Sequence, residues 1–475
     1  MTATRTIADL PGPRGLPLLG NAVQLIPPSR AHLKAELWAR RYGSMVRVHV
    51  GRREMVGIAD AATINQILRE RPEGYRRWAE QCSVLDEIAP TGLFGAEGTE
   101  WKTQRRLVIT ALNTNHIHRY YEAVRTCTER LHARLKVAAD SRTWLNITEE
   151  LTSFTVDVTS WLALGHDLNT LERRDDELQR HFRVVMQTIA RRLTAPFPYW
   201  RHFKLPVDRR AERSIVAVNQ AIRRFVLEAR ERMDQAPALY EEPRNMLEAM
   251  IAAQASDGTF TDDQIVGNVF TILLAGEDTT AHTLAWTLSL IGPCPEIQQR
   301  LREETARELG DQAVAGDPQL VDRLRYSEAV VQESMRLRGV SAMLAIEPAN
   351  DVTVGDVEVP AGTRLLLLLR QAGRETAGRE DDFLPERWLS DSDDTRPVKT
   401  LGFGAGPRFC PGRNLALLES KTALSMIASS FHVEVDRRRV QEAFEFAIVP
   451  RGLRVRLRER ASADQPATSR VAAAI

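Results

Sequence analysis

The chain reads as a mainly α-helical fold with a small β region, on three observations. Long amphipathic segments run through residues 114–138, 176–193, 208–234 and 261–291, where apolar side chains recur at helical spacing. One stretch alternates instead: Val46, Val48 and Val50 are interleaved with Arg47 and His49. A turn at Gly51-Arg52-Arg53 and a second run over 55–59 then predict a hairpin. Short strand-like runs return only near 352–359 and 446–457.

In chain order, Pro11-Gly12-Pro13-Arg14-Gly15-Leu16-Pro17 is a turn-rich lead, and 29–42 reads as a helix stopped by Gly43. The hairpin follows, then the helical body. The 261–291 segment opens with a capping box, Thr261-Asp262-Asp263-Gln264, ends before Gly292-Pro293, and is long enough to cross a domain. A last helix is expected over 414–430, with Pro411 suited to a first helical position. No linker, charge run or repeat divides the 475 residues. One continuous unit, 1–475, is therefore expected, with 461–475, rich in alanine and polar residues, as a disordered tail.

Lys and Arg number 64 against 63 Asp and Glu, a net charge of +1, which argues against nucleic acid or an anionic membrane surface as a bulk partner. Cys82, Cys127, Cys294 and Cys410 are scattered without a C-x-x-C pair. Neither a disulfide framework nor a zinc site is suggested, and a reducing compartment is expected. The first ten residues lack a basic region followed by an apolar run, and no apolar stretch reaches membrane-spanning length. A soluble, cytoplasmic protein with no membrane anchor is the expectation.

The most informative stretch is Phe403-Gly404-Ala405-Gly406-Pro407-Arg408-Phe409-Cys410-Pro411-Gly412. A lone cysteine usually packs as a small hydrophobe. Here it precedes a helix, whose unpaired N–H groups and dipole favour the thiolate and are expected to lower its pKa. Gly406 and Gly412 let backbone approach closely, Arg408 is placed to pair with an anionic group, and Phe403 can shield sulfur from water. The pattern F-x-x-G-x-R-x-C-x-G resembles the haem-binding loop of the cytochrome P450 family. The resemblance implies haem b held between the long central helix and the cysteine-loop helix, with Cys410 on the metal and Phe403, Gly404, Arg408 and Gly412 around the cofactor.

A second constellation lies mid-helix at Ala275-Gly276-Glu277-Asp278-Thr279-Thr280. The Thr279 hydroxyl can bond the Ala275 carbonyl, which would bend the helix and open a groove at Gly276 for dioxygen and water. All six positions are similar to the family's oxygen-activating motif. By that resemblance Ala275 and Gly276 face the cofactor, and Asp278 and Thr279 form the catalytic relay that delivers protons for O–O cleavage. Glu333 and Arg336, at i and i+3, together with Arg387 of Phe383-Leu384-Pro385-Glu386-Arg387-Trp388, look like the family's structural ion network. Trp101 and Arg105, one turn apart, look like its propionate-binding pair. Lys102 and Arg106 read as a solvated face that could dock an electron carrier.

The chain also departs from the family. Leu337 stands where a proline is usual after Arg336, and Ile346 replaces an arginine common five residues before the aspartate Asp351. Propionate pairing is therefore expected to rest on Trp101, Arg105 and Arg408. Candidate pocket walls are 75–94, 194–200, Ala275, Gly276 and 444–448, largely apolar, with Arg76 and Arg77 as potential carboxylate anchors. The resemblance implies a monooxygenase inserting one atom of O2 into a lipophilic small molecule such as a fatty acid, terpenoid, steroid or polyketide. Nothing in the chain resembles a flavin or nicotinamide domain, so electrons are expected from a separate ferredoxin or flavodoxin with its reductase. A peroxide-driven haem enzyme would not need the relay. A haem sensor or electron-transfer protein would close the distal side with a ligand, for which His282 is the nearby candidate.

Overall fold

The computed structural model describes residues 5–51, 53–173, 177–195, 197–375, 379–389 and 401–460. Arg52 in the expected turn, Asp176 at an expected helix start, Pro196 in a candidate pocket wall and the 461–475 tail lie outside the described residues.

The central helix runs Asp262–Ile291 and starts as its capping box dictates, Thr261 Oγ1 accepting from Gln264 N at 3.2 Å while Gln264 Oε1 accepts from Thr261 N at 3.0 Å. It is apolar on nearly every side and accordingly buried, packing against Ile147–Leu164, Pro206–Gln235, Arg325–Arg338 and Arg413–Ser430. The expected 208–234 and 176–193 helices appear as Pro206–Gln235 and Glu177–Thr194. The 29–42 helix is Ala31–Tyr42, stopped by Gly43 at φ 111°.

The 114–138 segment is not one helix. It breaks at Tyr120 into Thr114–Arg119 and Tyr121–Asp140. Tyr120 and Tyr121 are both buried, at 4% and 3% exposure. Adjacent residues on a straight helix point about 100° apart, so burying both rings favours a break between them.

The hairpin forms as Met45–Val50 with Arg53–Ile58 and extends into a five-stranded sheet through Arg364–Leu367, Leu344–Pro348 and Tyr75–Arg77. The outer pair is antiparallel, with Arg77 opposite Ile346. Smaller sheets join Arg5–Thr6 to Val357–Val359 and Val352–Val354, Gln441–Phe444 to Ile448–Arg451, and Phe431–Asp436 to Arg454–Glu459.

The expected ion network holds the segment before the cysteine loop. Arg336 donates through Nε and Nη2 to both Glu333 oxygens at 2.8 Å, with both side chains fully buried. Arg387 Nε lies 3.6 Å from the same carboxylate, and Trp388 Nε1 and Leu384 N also donate to it, each at 2.9 Å.

A second buried acid, Glu419 on the Arg413–Ser430 helix, has its carboxyl pushed up from an ordinary 4.5 to about 8 by burial. The folded chain thus holds a proton there that the unfolded chain releases, so stability falls as pH rises between those values, by up to about 1.4 kcal/mol per pH unit. Urea melts of Glu419→Gln should lose that slope and exceed the parent by a margin that widens from pH 5 to 8; parallel curves would refute it.

Candidate active site

Cys410 lies in the turn that leads from Leu401–Phe403 into the Arg413–Ser430 helix. Its N–H donates to Phe403 O at 2.9 Å, closing the loop on itself. The helix starts at Arg413 with Gly412 as its N-cap, so Pro411 sits in the turn rather than at the first helical position. Gly404 and Gly406 take left-handed φ values of 71° and 66°. A methyl on Gly406 would lie 2.3 Å from Leu68 O, so this glycine seats the loop against the Ala61–Arg69 helix. Gly412 adjoins sulfur: a Cβ there would lie 3.9 Å from Cys410 Sγ. The half-buried Phe403 ring lies 6.0 Å from the Arg413 guanidinium.

The expected lowering of the thiol pKa is not found. Burial pushes the Cys410 thiol up, and the Gly412 and Arg413 N–H groups and the Arg105 guanidinium offset this only in part. Desolvating S⁻ in the protein interior outweighs a single turn of helix dipole. A cation bound at sulfur would supply the missing compensation.

Beside the loop, buried positive charge gathers around one carboxylate, Glu97. Arg408 Nη2 donates to Glu97 Oε2 and to Ala96 O, each at 2.5 Å, and its guanidinium lies 4.9 Å from the ring centroid of buried Trp101. Arg71, 2% exposed, is 3.8 Å from Glu97, and Arg77 N donates to Glu97 Oε1 at 3.1 Å. The Arg77 guanidinium stacks 3.9 Å from the Phe94 centroid while Nε donates to Phe94 O at 2.9 Å. Burial and mutual repulsion push Arg71 down to about 9 and Arg408 down to about 10, the latter despite Glu97. Arg71 Nε and Nη2 and Arg408 Nε are buried without a hydrogen-bond partner among the described residues. Such donors fit an anionic guest. Arg105, a turn beyond Trp101 on the Gly98–Ala111 helix, is half-buried with its charge toward Cys410.

Arg71 escapes sequence reasoning altogether, because its Arg71-Pro72 dipeptide reads only as a turn. Arg77, read there as a potential substrate anchor, instead joins this cluster. The signal that could have found it is the pairing of 75–77 with 346–348, which sets Arg77 opposite Ile346, where the resemblance leads one to expect an arginine. Arg76 points elsewhere, 2.8 Å from Glu347.

On the central helix, Thr279 Oγ1 donates to Ala275 O at 2.6 Å, as the spacing predicts. The helix stays continuous through this turn, and Gly276 opens no groove: a methyl there would lie 2.7 Å from Thr159 Oγ1 of the Ile147–Leu164 helix. The glycine permits close helix packing, locked further by Thr155 Oγ1 donating to Glu277 O at 2.8 Å. The open position is Ala275. It is exposed, and 276–279 are half-buried, between the buried stretches 265–270 and 280–289. Burial pushes the Asp278 carboxyl up, opposed by His282 and reinforced by Glu445.

The Phe94 and Phe446 rings approach to 6.1 Å, bringing two of the expected pocket walls together. Tyr75 is instead buried in the sheet core. Trp200 donates to Glu87 at 2.8 Å. Lys102 pairs with Glu73 at 2.7 Å and Arg106 with Asp257 at 3.0 Å, so both cations of the expected docking face are already matched locally.

Fold and site together define a class: a helical protein with a loop cysteine beside a buried, under-neutralised cluster of arginines that fits an anionic guest. The family profile described as Cytochrome P450 matches residues 10–455, and the chain belongs to the cytochrome P450 family. It is 26% identical over 438 residues to cytochrome P450 71A8 of Mentha piperita, covering 90% of this chain and 84% of that protein. It is 28% identical over 458 residues to the mitochondrial 25-hydroxyvitamin D-1 alpha hydroxylase of Homo sapiens, covering 91% and 88%. The crystal structure of the cytochrome P450DA haem domain superposes with a TM-score of 0.86 at 20% identity, over 97% of this chain and all of that one. Membership makes the protein a haem-iron monooxygenase, an oxidoreductase using O2, an organic substrate and a redox partner. Among the described residues no helix is long and apolar enough to cross a membrane.

Proposed function

We propose that this chain binds haem b through Cys410 and hydroxylates or epoxidises a lipophilic small molecule in the cytoplasm, with electrons from a separate ferredoxin or flavodoxin and its reductase. The observation that carries it is the under-neutralised arginine cluster beside the cysteine loop. Arg71, Arg77, Arg105 and Arg408, with Trp101, would hold two propionates, and Phe403, Gly404 and Gly412 would frame the proximal face. Ala275 and Gly276 belong to the turn on the distal side. When bound, the iron activates dioxygen, and thiolate ligation favours O–O cleavage by pushing electron density toward it.

The protein's own contribution is to place protons and exclude water. Asp278 carries the proton and Thr279 hands it on from Oγ1, whose single O–H must turn away from Ala275 O, its resting acceptor, to do so. Burial pushes the Asp278 carboxyl up, which favours its protonated form relative to an ordinary aspartate. The Phe94 and Phe446 rings and the buried Phe270 and Leu274 favour an apolar guest. His282 is buried, at 6% exposure, and stands two turns beyond Ala275 along the helix, which speaks against a distal ligand.

Thr279→Ala should raise the fraction of reducing equivalents lost as hydrogen peroxide severalfold, measured as product formed per electron consumed. Unchanged coupling would remove Thr279 from the relay. Binding-difference spectra against a lipophilic library would identify the substrate class; binding confined to polar compounds would overturn that part of the reading.

A further inference from the structure

Asp278, His282 and Trp286 follow at four-residue intervals and so share one side of the central helix. That side is covered by the hairpin of Gln441–Phe444 and Ile448–Arg451. Trp286 Nε1 donates to Ile448 O at 3.0 Å, which seats the start of the second strand one turn beyond His282. The intervening turn is pinned: Phe446 takes φ 84°, unusual for a bulky side chain, Glu445 N donates to Ala447 O at 2.9 Å, and Ile448 N donates to Val340 O at 2.9 Å. Glu445 is thereby held near the helix at its Asp278 to His282 turn while its side chain stays 41% exposed and paired with Arg451.

His282 is buried, at 6% exposure, one turn from Asp278, and its ring reaches toward the Asp278 backbone without a well-formed hydrogen bond from Nδ1. Asp278, His282 and Glu445 sense one another electrostatically. Burial lowers the ring's affinity for a proton, while Asp278 and Glu445 raise it. Among the described residues the charges on this side include Arg451, on Glu445, and Arg338, which lies 5.3 Å from the Trp286 centroid and 2.9 Å from Glu442 of the hairpin.

Each monooxygenation, RH + O2 + 2e⁻ + 2H⁺ → ROH + H2O, draws its electrons from the redox partner and its two protons from solvent. Asp278 must therefore be reprotonated during every cycle. A neutral imidazole can take a proton on one nitrogen and release one from the other, returning to neutral each time.

We propose that His282 and Glu445 form the proton-supply line from solvent to Asp278, Glu445 collecting the proton at the surface and His282 carrying it through the buried gap. The inference rests on Asp278 and Thr279 being the relay, and it extends that relay outward. Both residues act through Asp278, so they are supply and positioning residues. A competing source is Glu277, which lines a small apolar pocket with Val156, Leu164 and Phe182 on another side of the helix.

The test uses the holoenzyme and the variants His282→Gln, Glu445→Gln, Glu277→Gln and Asp278→Asn. At saturating substrate, H282Q should lower the turnover rate about tenfold, below the full worth of a general acid because Asp278 remains. It should also raise the solvent deuterium isotope effect and steepen the loss of rate at high pH, with substrate dissociation constant and CO-difference spectrum unchanged. E445Q should do the same more weakly. In the reduced, CO-bound enzyme, the His282 ring resonance, assigned by its loss in H282Q, should titrate at lower pH in E445Q. That arm needs H282Q only as a folded assignment standard, and where H282Q folds poorly the rate and isotope effect of E445Q carry the test. An unmoved resonance, or an unchanged rate and isotope effect in H282Q while D278N slows turnover, overturns the supply line and leaves the relay intact. Loss in E277Q without loss in H282Q also overturns it, assigning the route to Glu277. No effect in D278N defeats the relay reading itself.

Discussion

Replacing Cys410 by alanine is expected to abolish monooxygenation and to remove the far-red Soret band of the reduced, CO-treated protein. The side chain sits in a loop closed by its own N–H on Phe403 O, so the substitution deletes the sulfur while the backbone hydrogen bond stays available. Fold and haem retention can then be separated from ligation. The arginine cluster and Trp101 do not depend on the sulfur, so C410A should still bind some haem, with the spectrum of a non-thiolate species. Cys410→Ser, with a harder and weakly acidic donor, should recover haem content better than alanine and still lack the band. A far-red band surviving in C410A would sink the assignment of this residue to the iron.

The second large effect is on stability. Arg336→Leu should destabilise the fold by about 3–5 kcal/mol, because it strips the bidentate partner from a fully buried carboxylate. Arg387, Trp388 and Leu384 N remain around Glu333 but none replaces the paired N–H fork. Arg336 also donates to Glu380 O at 2.7 Å and Asp382 O at 2.8 Å, so the segment leading toward the cysteine loop loses two anchors at once. Urea unfolding of the variant measures the loss, and haem content reports the loop. A change below about 1 kcal/mol would mean the pair is dispensable and the carboxylate relaxes to take a proton.

Where sequence reasoning succeeded, its signals were local. The capping box at Thr261, the stop at Gly43 and the Thr279 to Ala275 hydrogen bond each involve residues within four positions of one another. The Glu333 network was legible for the same reason at its core, an i, i+3 pair, while Trp388 and Leu384 N came as additions. The break at Tyr120 was not legible, since the 114–138 stretch keeps helical periodicity across it and only simultaneous burial of two adjacent rings favours a break. Gly276 misled for a related reason. Within its own helix it reads as an opening, and only the neighbouring helix, with Thr159 against it, shows that the space is already filled.

The same division holds for chemistry. Residue identity and spacing determine that a cysteine, an arginine two positions earlier and an acid-alcohol pair are available, because those motifs are written in contiguous residues. Tertiary structure alone decides the environment each one meets. It buries the Cys410 thiol enough to outweigh the helix dipole, and it brings Arg408, hundreds of positions further along the chain, to the same carboxylate as Arg71 and Arg77. It sets Arg77 across a strand pair from Ile346 and brings Glu445 to the side of the helix that carries Asp278 and His282. Burial, strand register and desolvation are properties of pairs distant in sequence, and no window along the chain contains both members.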